Sequence, residues 1–325
     1  MIAILLAGIA SVWGALFYMT TMPATSHDSD APPLSSAERL AAQRLQRDVL
    51  HLATTIGPRN DEHPDAYRGT ASHITRQLEE MGYTPSAYPF ETQQGTWPNI
   101  EVTIEGTERP GAIVLFAAHY DSCHETPGAD DNASGVATLL EMARQLAGAP
   151  APHTIRLVFV ANEEPPHFQH DSMGSLVYAR MARERGDDIR VMYSLEMLGY
   201  FSDAPGSQHY PPLLSSFYPD TGNFVAFATT LEHRDVTTAS VALFREHATI
   251  PSEGFTGPRA TPGIDYSDHW SFWQEGYPAI LVTDTSFFRT PHYHKATDIP
   301  TTLDYERMAR TTTALVELAK RFPTQ

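Results

Sequence analysis

The chain has 325 residues, 42% of them hydrophobic, which suits one large α/β domain or two small ones. With 22 Lys and Arg against 39 Asp and Glu, and a formal net charge of −17, it lacks the basic face that nucleic acid requires; the acidity reads as a solvated surface. A single cysteine, Cys123, excludes an intramolecular disulfide framework, so packing or bound metal must supply stability.

Residues 1–22 carry no charged side chain and are long enough to cross a bilayer as a helix. No basic residue precedes the apolar run, and its exit, Met22-Pro23-Ala24-Thr25-Ser26, is a poor cleavage site. The expectation is therefore a signal anchor holding an extracytoplasmic domain to the membrane through this helix. If the segment is instead a cleaved signal peptide, the product is secreted or periplasmic.

Residues 23–36 are polar and Pro-bearing, a linker, and residues 37–325 read as one domain. Helical spacing of Leu40, Leu45, Val49 and Leu50 predicts a helix over 37–54, capped by Ser35 or Ser36 and broken by Gly57-Pro58-Arg59-Asn60. A second helix, 66–81, ends at Gly82. Strands are expected at 99–104, 112–117, 154–161, 189–195, 224–229 and 278–283, and helices at 133–146, 173–185, 236–247 and 303–320. The stretches 201–223 and 250–265, rich in Gly, Pro and Ser, read as long loops. This alternation predicts an α/β fold with an open mixed, largely parallel central sheet and helices on both faces.

The chemistry concentrates in residues 118–137, AHYDSCHETPGADDNASGVA. His119 and Asp121 close the apolar run 112–117, and after a Gly/Pro loop Asp130-Asp131-Asn132 leads into a helical pattern. A strand end, a loop and a helix start bearing an imidazole and several carboxylates suit a metal site at the carboxyl edge of an α/β sheet. Three further stretches end or interrupt core strands with acids or imidazoles: Asn162-Glu163-Glu164, Ser194-Leu195-Glu196-Met197, and 292–298, HYHKATD. Each is common alone, but together and in this order they are a specific signal. Cys123 has no second thiol and no thiolate-partner pattern, so a catalytic thiol is not expected.

In these motifs the chain resembles the M28 family of zinc peptidases, from about residue 57 to 305. The resemblance implies a single zinc-exopeptidase-like domain, a peptide substrate and two Zn2+ sharing a carboxylate. By motif position, His119, Asp131 and Glu196 would hold one zinc, and Asp131, Glu164 and His294 the other. Asp131 rather than Asp130 is the bridging residue because it heads the family's D-x-x-S-G, here Asp131-Asn132-Ala133-Ser134-Gly135. A bridging carboxylate offsets the mutual repulsion of two cations, and one imidazole with one carboxylate on each outer side leaves room for water.

Asp121, two residues beyond His119 in an extended segment, points to the same side and is expected to accept the other ring N–H. Asp298 is given a similar part beside His294. Glu163, next to the ligand Glu164, is expected to face the water and act as general base. Tyr293 or Tyr266 is available to hydrogen-bond the developing oxyanion. Glu196 departs from the Asp found in many family members, and the loop 165–172 has no assigned role.

Two other readings differ in class. An acyltransferase cyclising N-terminal glutamine would use a single zinc on this fold, and a non-catalytic binding ectodomain would have lost ligands. No arginine cluster announces capture of a C-terminal carboxylate, although Arg259 and Arg289 lie in loops where one could be built.

Overall fold

In the computed structural model, which describes residues 2–28 and 30–324, eight strands form one sheet. They are β1 (Ser86–Glu91), β2 (Thr96–Ile104), β3 (Arg109–His119), β4 (His153–Val160), β5 (Asp188–Glu196), β6 (Val225–Thr230), β7 (Ser252–Gly257) and β8 (Ala279–Thr283). Their order is β1-β2-β4-β3-β5-β8-β6-β7. The centre is parallel, with β3 between β4 and β5 and β5 beside β8, while β1/β2, β2/β4 and β6/β8 pair antiparallel.

The helices are α1 (Ile2–Thr20), α2 (Ser36–Leu50), α3 (Pro64–Glu80), α4 (Gly135–Leu146), α5 (Gly174–Arg185), α6 (Arg234–His247), α7 (His269–Gln274) and α8 (Tyr305–Arg321). Side chains of β3 alternate between two cores. Val114, Phe116 and Ala118 face the layer containing α2, α4 and α8, while Ile113, Leu115 and Ala117 face α5 and α7. Burial on both faces is why the central strands read as continuous apolar runs. The single α/β domain implied by the sequence is the fold observed.

Ser35 caps α2 as expected: the Glu38 amide donates to Ser35 Oγ at 3.1 Å, and the Ser35 amide donates to Glu38 Oε2 at 2.7 Å. The helix winds more widely over His51–Ile56 and stops at Gly57, whose φ of +84° suits glycine. Residues 250–265 are not all loop, because β7 lies within them as an edge strand against β6. β1, the other edge, and α7 were likewise not expected.

The expected anchor, 1–22, falls partly on residues whose placement lies outside the described set. Among the described residues no helix is long and apolar enough to cross a membrane. The start of the expected linker is fastened to α6 and to the β7 edge. Arg245 Nη1 donates to the carbonyls of Pro23 (3.1 Å) and Ala24 (2.9 Å), and the Ser252 amide donates to Ser26 Oγ (2.9 Å).

Candidate active site

Topology brings the expected residues together. β3 and β5 run parallel as neighbours, so their last residues, His119 and Glu196, end at the same carboxyl edge. Beyond β4, Asn162-Glu163-Glu164 turns across that edge with Asn162 at φ +57°. The turn is pinned by Tyr67, whose hydroxyl accepts from the Asn162 amide (2.8 Å) and donates to Asn162 Oδ1 (2.9 Å). The tight turn Ala129–Ser134 carries Asp131, and His294 comes from the loop after β8 at φ +54°.

His119 Nε2 lies 3.2 Å from Glu196 Oε2 and 3.5 Å from Asp131 Oδ1. On the other flank, His294 Nε2 lies 3.1 Å from Asp131 Oδ2 and 3.3 Å from Glu164 Oε2. The two oxygens of Asp131 thus serve opposite sides. Glu163 Oε2 is 3.9 Å from His119 Nε2, beside the cluster rather than within either flank. Asp121 Oδ1 faces His119 Nδ1 at 3.4 Å without hydrogen-bonding it, while Oδ2 accepts the Glu164 amide at 2.9 Å. Ser267 donates to Glu196 Oε2 at 2.6 Å.

Asp298 does not attend His294. Its oxygens accept the amides of Asp130 (2.8 Å) and Asp131 (3.1 Å), bracing the turn that presents the Asp131 carboxylate. Asn132 completes that brace, donating to the Leu195 carbonyl (2.8 Å) and accepting from the Gly135 and Met197 amides (3.1 Å each). In the sequence Arg59 reads only as part of a helix break. It is fully buried and donates to the carbonyls of Tyr120 (3.0 Å), Pro127 (2.6 Å) and Gly128 (2.7 Å), tying both ends of the metal loop. A long charged side chain after Gly-Pro is the available signal, but its partners are 61 to 69 residues away in sequence.

The electrostatics call for a cation. Burial pushes Glu163 well above the usual carboxylate range, helped by Glu164, Glu196 and Asp268 and opposed by His119. Glu164 is pushed up to about 7 by burial and by Asp131. Burial would also raise Asp131, but the two imidazoles outweigh it and hold that carboxyl low. Conversely, burial would lower His119 and His294, and the surrounding acids raise both instead. Both ring nitrogens of His119, Oδ1 of Asp121 and Oε1 of Glu164 are buried without a hydrogen-bond partner. Orphaned donors in an acidic, dehydrated cluster fit divalent cations, and imidazole with carboxylate is a donor set that zinc accepts. One ligand atom each from His119, Asp131 and Glu196 lie within 4.8 Å of one another, and so do atoms of Cys123, Glu164 and His294.

A cavity of about 470 Å³ opens beside this cluster. Its walls are aromatic and apolar, including Tyr218, Phe224, Phe255 and Phe288, and Asp131, Glu163, Glu164, Glu196 and Glu253 line it; among the described lining residues none is Arg or Lys. The loop 165–172 contributes Pro165, Phe168 and Gln169 to the rim. Tyr293 stacks on His294 at 3.8 Å, and its hydroxyl is raised by burial and by Asp131, Glu164, Glu163 and Glu196. Tyr266 is about half exposed and packs on Phe168 and Phe287 at the rim. Arg289 is buried against Phe224 and donates to Gln208 Oε1 (2.7 Å), and exposed Arg259 pairs with Glu232, so neither lines the cavity.

A carboxylate-bridged cluster of acids and imidazoles at the carboxyl edge of an open α/β sheet defines the class: an α/β protein built to hold metal at that edge. Within that class the chain belongs to Peptidase family M28, which residues 99–319 match. It is 35% identical over 293 residues to Uncharacterized protein YfbL of Escherichia coli (strain K12), covering 87% of this chain and 89% of that protein. It is 23% identical over 320 residues to a probable leucine aminopeptidase of Arthroderma otae, covering 92% and 78%. The fold is shared with BSAP, a zinc aminopeptidase from Bacillus subtilis (TM-score 0.67, 15% identity, covering 85% of this chain and 94% of that one). It is shared as well with Fimbriiglobus ruber glutaminyl cyclase (TM-score 0.64, 17% identity, 92% and 99%).

Proposed function

We propose that the protein is a zinc-dependent aminopeptidase holding two Zn2+, one on His119, Asp131 and Glu196 and the other on Asp131, Glu164 and His294. The observation that carries the peptide end is the cavity: among the described residues no Lys or Arg lines it, and its carboxylates outside the five proposed ligands are Glu163 and Glu253. A wall without Lys or Arg offers no ionic partner to a C-terminal carboxylate, so the chamber suits a free N-terminus better. Its apolar aromatic wall suits a large apolar side chain at that terminus. Family membership and the aminopeptidase relative support the same reading.

When bound, the two ions polarise the scissile carbonyl and lower the pKa of the attacking water. Glu163, buried at the cavity wall and raised in pKa, takes the proton of that water and returns it to the leaving amine. Asp121 fixes the tautomer and orientation of His119. Tyr293, stacked on His294 with its hydroxyl near the acids, donates to the oxyanion; Tyr266, at the rim, contacts the substrate side chain.

The cyclising reading draws support from the glutaminyl cyclase that shares the fold. The complete outer flank of His119 and Glu196 favours two ions and hydrolysis over it. Purified protein assayed on free-amine and N-acetylated peptides, with zinc counted per chain, is expected to cleave only the free-amine series and to carry two zinc. One zinc with cyclisation of N-terminal glutamine, or equal cleavage of blocked peptides, overturns the proposal. For the N-terminal segment we retain the reading of an anchor with the catalytic domain outside the cytoplasm, tested by whether the full chain partitions with membranes after a carbonate wash.

A further inference from the structure

We infer that Cys123 is a sixth protein ligand, its Sγ joining Asp131, Glu164 and His294 around one ion and leaving a fifth position for water. The inference rests on the metal-binding reading above and adds to it, since the family motifs assign five ligands and no sulfur. Cys123 Sγ, a Glu164 oxygen and a His294 ring nitrogen all lie within 4.8 Å of one another. Cys123 is only 5% exposed, so the thiol lies on the cluster side and not in solvent. The second observation is that Glu164, in the same group, has a buried Oε1 with no hydrogen-bond partner, free to ligate.

The backbone holds the thiol in place. Arg59 accepts the Ser122 amide through its carbonyl at 3.0 Å, and Asn60 Nδ2 donates to the carbonyls of Ser122 (2.8 Å) and His124 (2.6 Å). The Cys123 carbonyl itself accepts from the Thr126 amide (2.9 Å) and Thr126 Oγ1 (2.7 Å). Both neighbours and the residue's own carbonyl are therefore fixed. Zinc takes sulfur at about 2.3 Å and imidazole nitrogen at about 2.0–2.1 Å, which sets tetrahedral donor separations of roughly 3.5 Å. The three donors need close by at most about 1.3 Å, within the reach of side-chain rotation. A thiolate there selects zinc and other thiophilic ions over magnesium or manganese on this flank alone.

The chain has one cysteine, so any sulfur-to-metal signal reports Cys123. Full-length protein stripped of metal and reloaded with Co2+ is expected to show a near-ultraviolet thiolate-to-cobalt charge-transfer band. Cys123→Ser should lose that band while keeping the visible ligand-field bands. In unmodified protein, iodoacetamide should alkylate Cys123 when metal is removed and fail to do so once zinc is restored, a readout that does not depend on the variant folding. Two bound cobalt and working peptide hydrolysis without the band overturn the sulfur ligand and leave the aminopeptidase reading standing. Alkylation at equal rates with and without zinc, or protection without the band, likewise overturns it. Failure to bind any cobalt overturns both.

Discussion

The two flanks of Asp131 are built differently. His119 and Glu196 are the last residues of adjacent parallel strands, fully buried or nearly so, with Asp121 behind the imidazole and Ser267 behind the carboxylate. Glu164 and His294 lie on connections after strands, and the His294 side chain is 29% exposed. One flank inherits its geometry from the sheet ladder; the other is assembled from loops that Arg59, Tyr67 and Asp298 have to hold. A strand end is placed by many cooperative contacts, whereas a loop ligand opens with local fluctuations. The strand flank should therefore keep its ion longer than the loop flank.

The largest expected effect comes from the residue the flanks share. Asp131→Asn leaves each site short of its common donor and the two cations unbridged, so activity should fall below detection and elemental analysis should find less than one zinc per chain. Two zinc retained would mean that the flanks do not share this carboxylate.

Glu163 belongs to neither flank, so the proposed proton transfer can be tested apart from metal holding. Glu163→Gln is expected to lower kcat by about 10²–10⁴-fold while zinc content and melting temperature stay unchanged. A variant with full turnover would remove Glu163 from the chemistry, and one that loses zinc would make it a ligand.

The flanks can also be unbalanced from behind. Asp121→Asn weakens the support of His119 and should reduce zinc affinity by about 10–100-fold. Since Asp121 also accepts the Glu164 amide, the loss should reach both ions, unlike Ser267→Ala, which should affect the strand flank alone. Stepwise chelation of unmodified protein, followed by zinc release, is expected to show two phases with the loop-side ion leaving first; simultaneous release would erase the distinction between the flanks.

The strand flank was also the more legible in sequence. Apolar runs ending in His119 and Glu196 announce buried parallel strands, and their shared edge follows from alternating strands and helices. The loop flank had the right residues, read through motif spacing, but its supports were invisible. Asp298 looked like a partner for His294 because they are four apart, yet it bonds the amides of Asp130 and Asp131 across more than 160 residues. Arg59 and Cys123 acquire meaning only when the chain folds back, since neither sits in a periodic pattern. β7 escaped for a related reason: SEGFTG has two glycines and one large apolar residue, and it is a strand because β6 offers an edge.

The smallest expected effect is a slope with pH, and it distinguishes empty flanks from filled ones. Burial is the largest cause pushing Asp298, Asp268 and Glu164 each up to about 7. A carboxyl that keeps its proton longer in the folded protein than in the unfolded chain contributes stability that is full below about 4 and is lost as the pH rises through its folded value. His119 and His294, raised by the acids around them, add to this loss above about pH 6.5. His73 and His269 oppose it: burial pushes both down to about 4, so their contribution is full above about 6.5 and lost as the pH falls. The acids and the two site imidazoles outnumber them, and metal-free protein should melt at a lower temperature at about pH 8 than at about pH 6.5. Zinc competes with those protons and supplies the missing positive charge, so the loaded protein should lose the slope or reverse it. Identical slopes with and without zinc would mean that these acids do not face the ions.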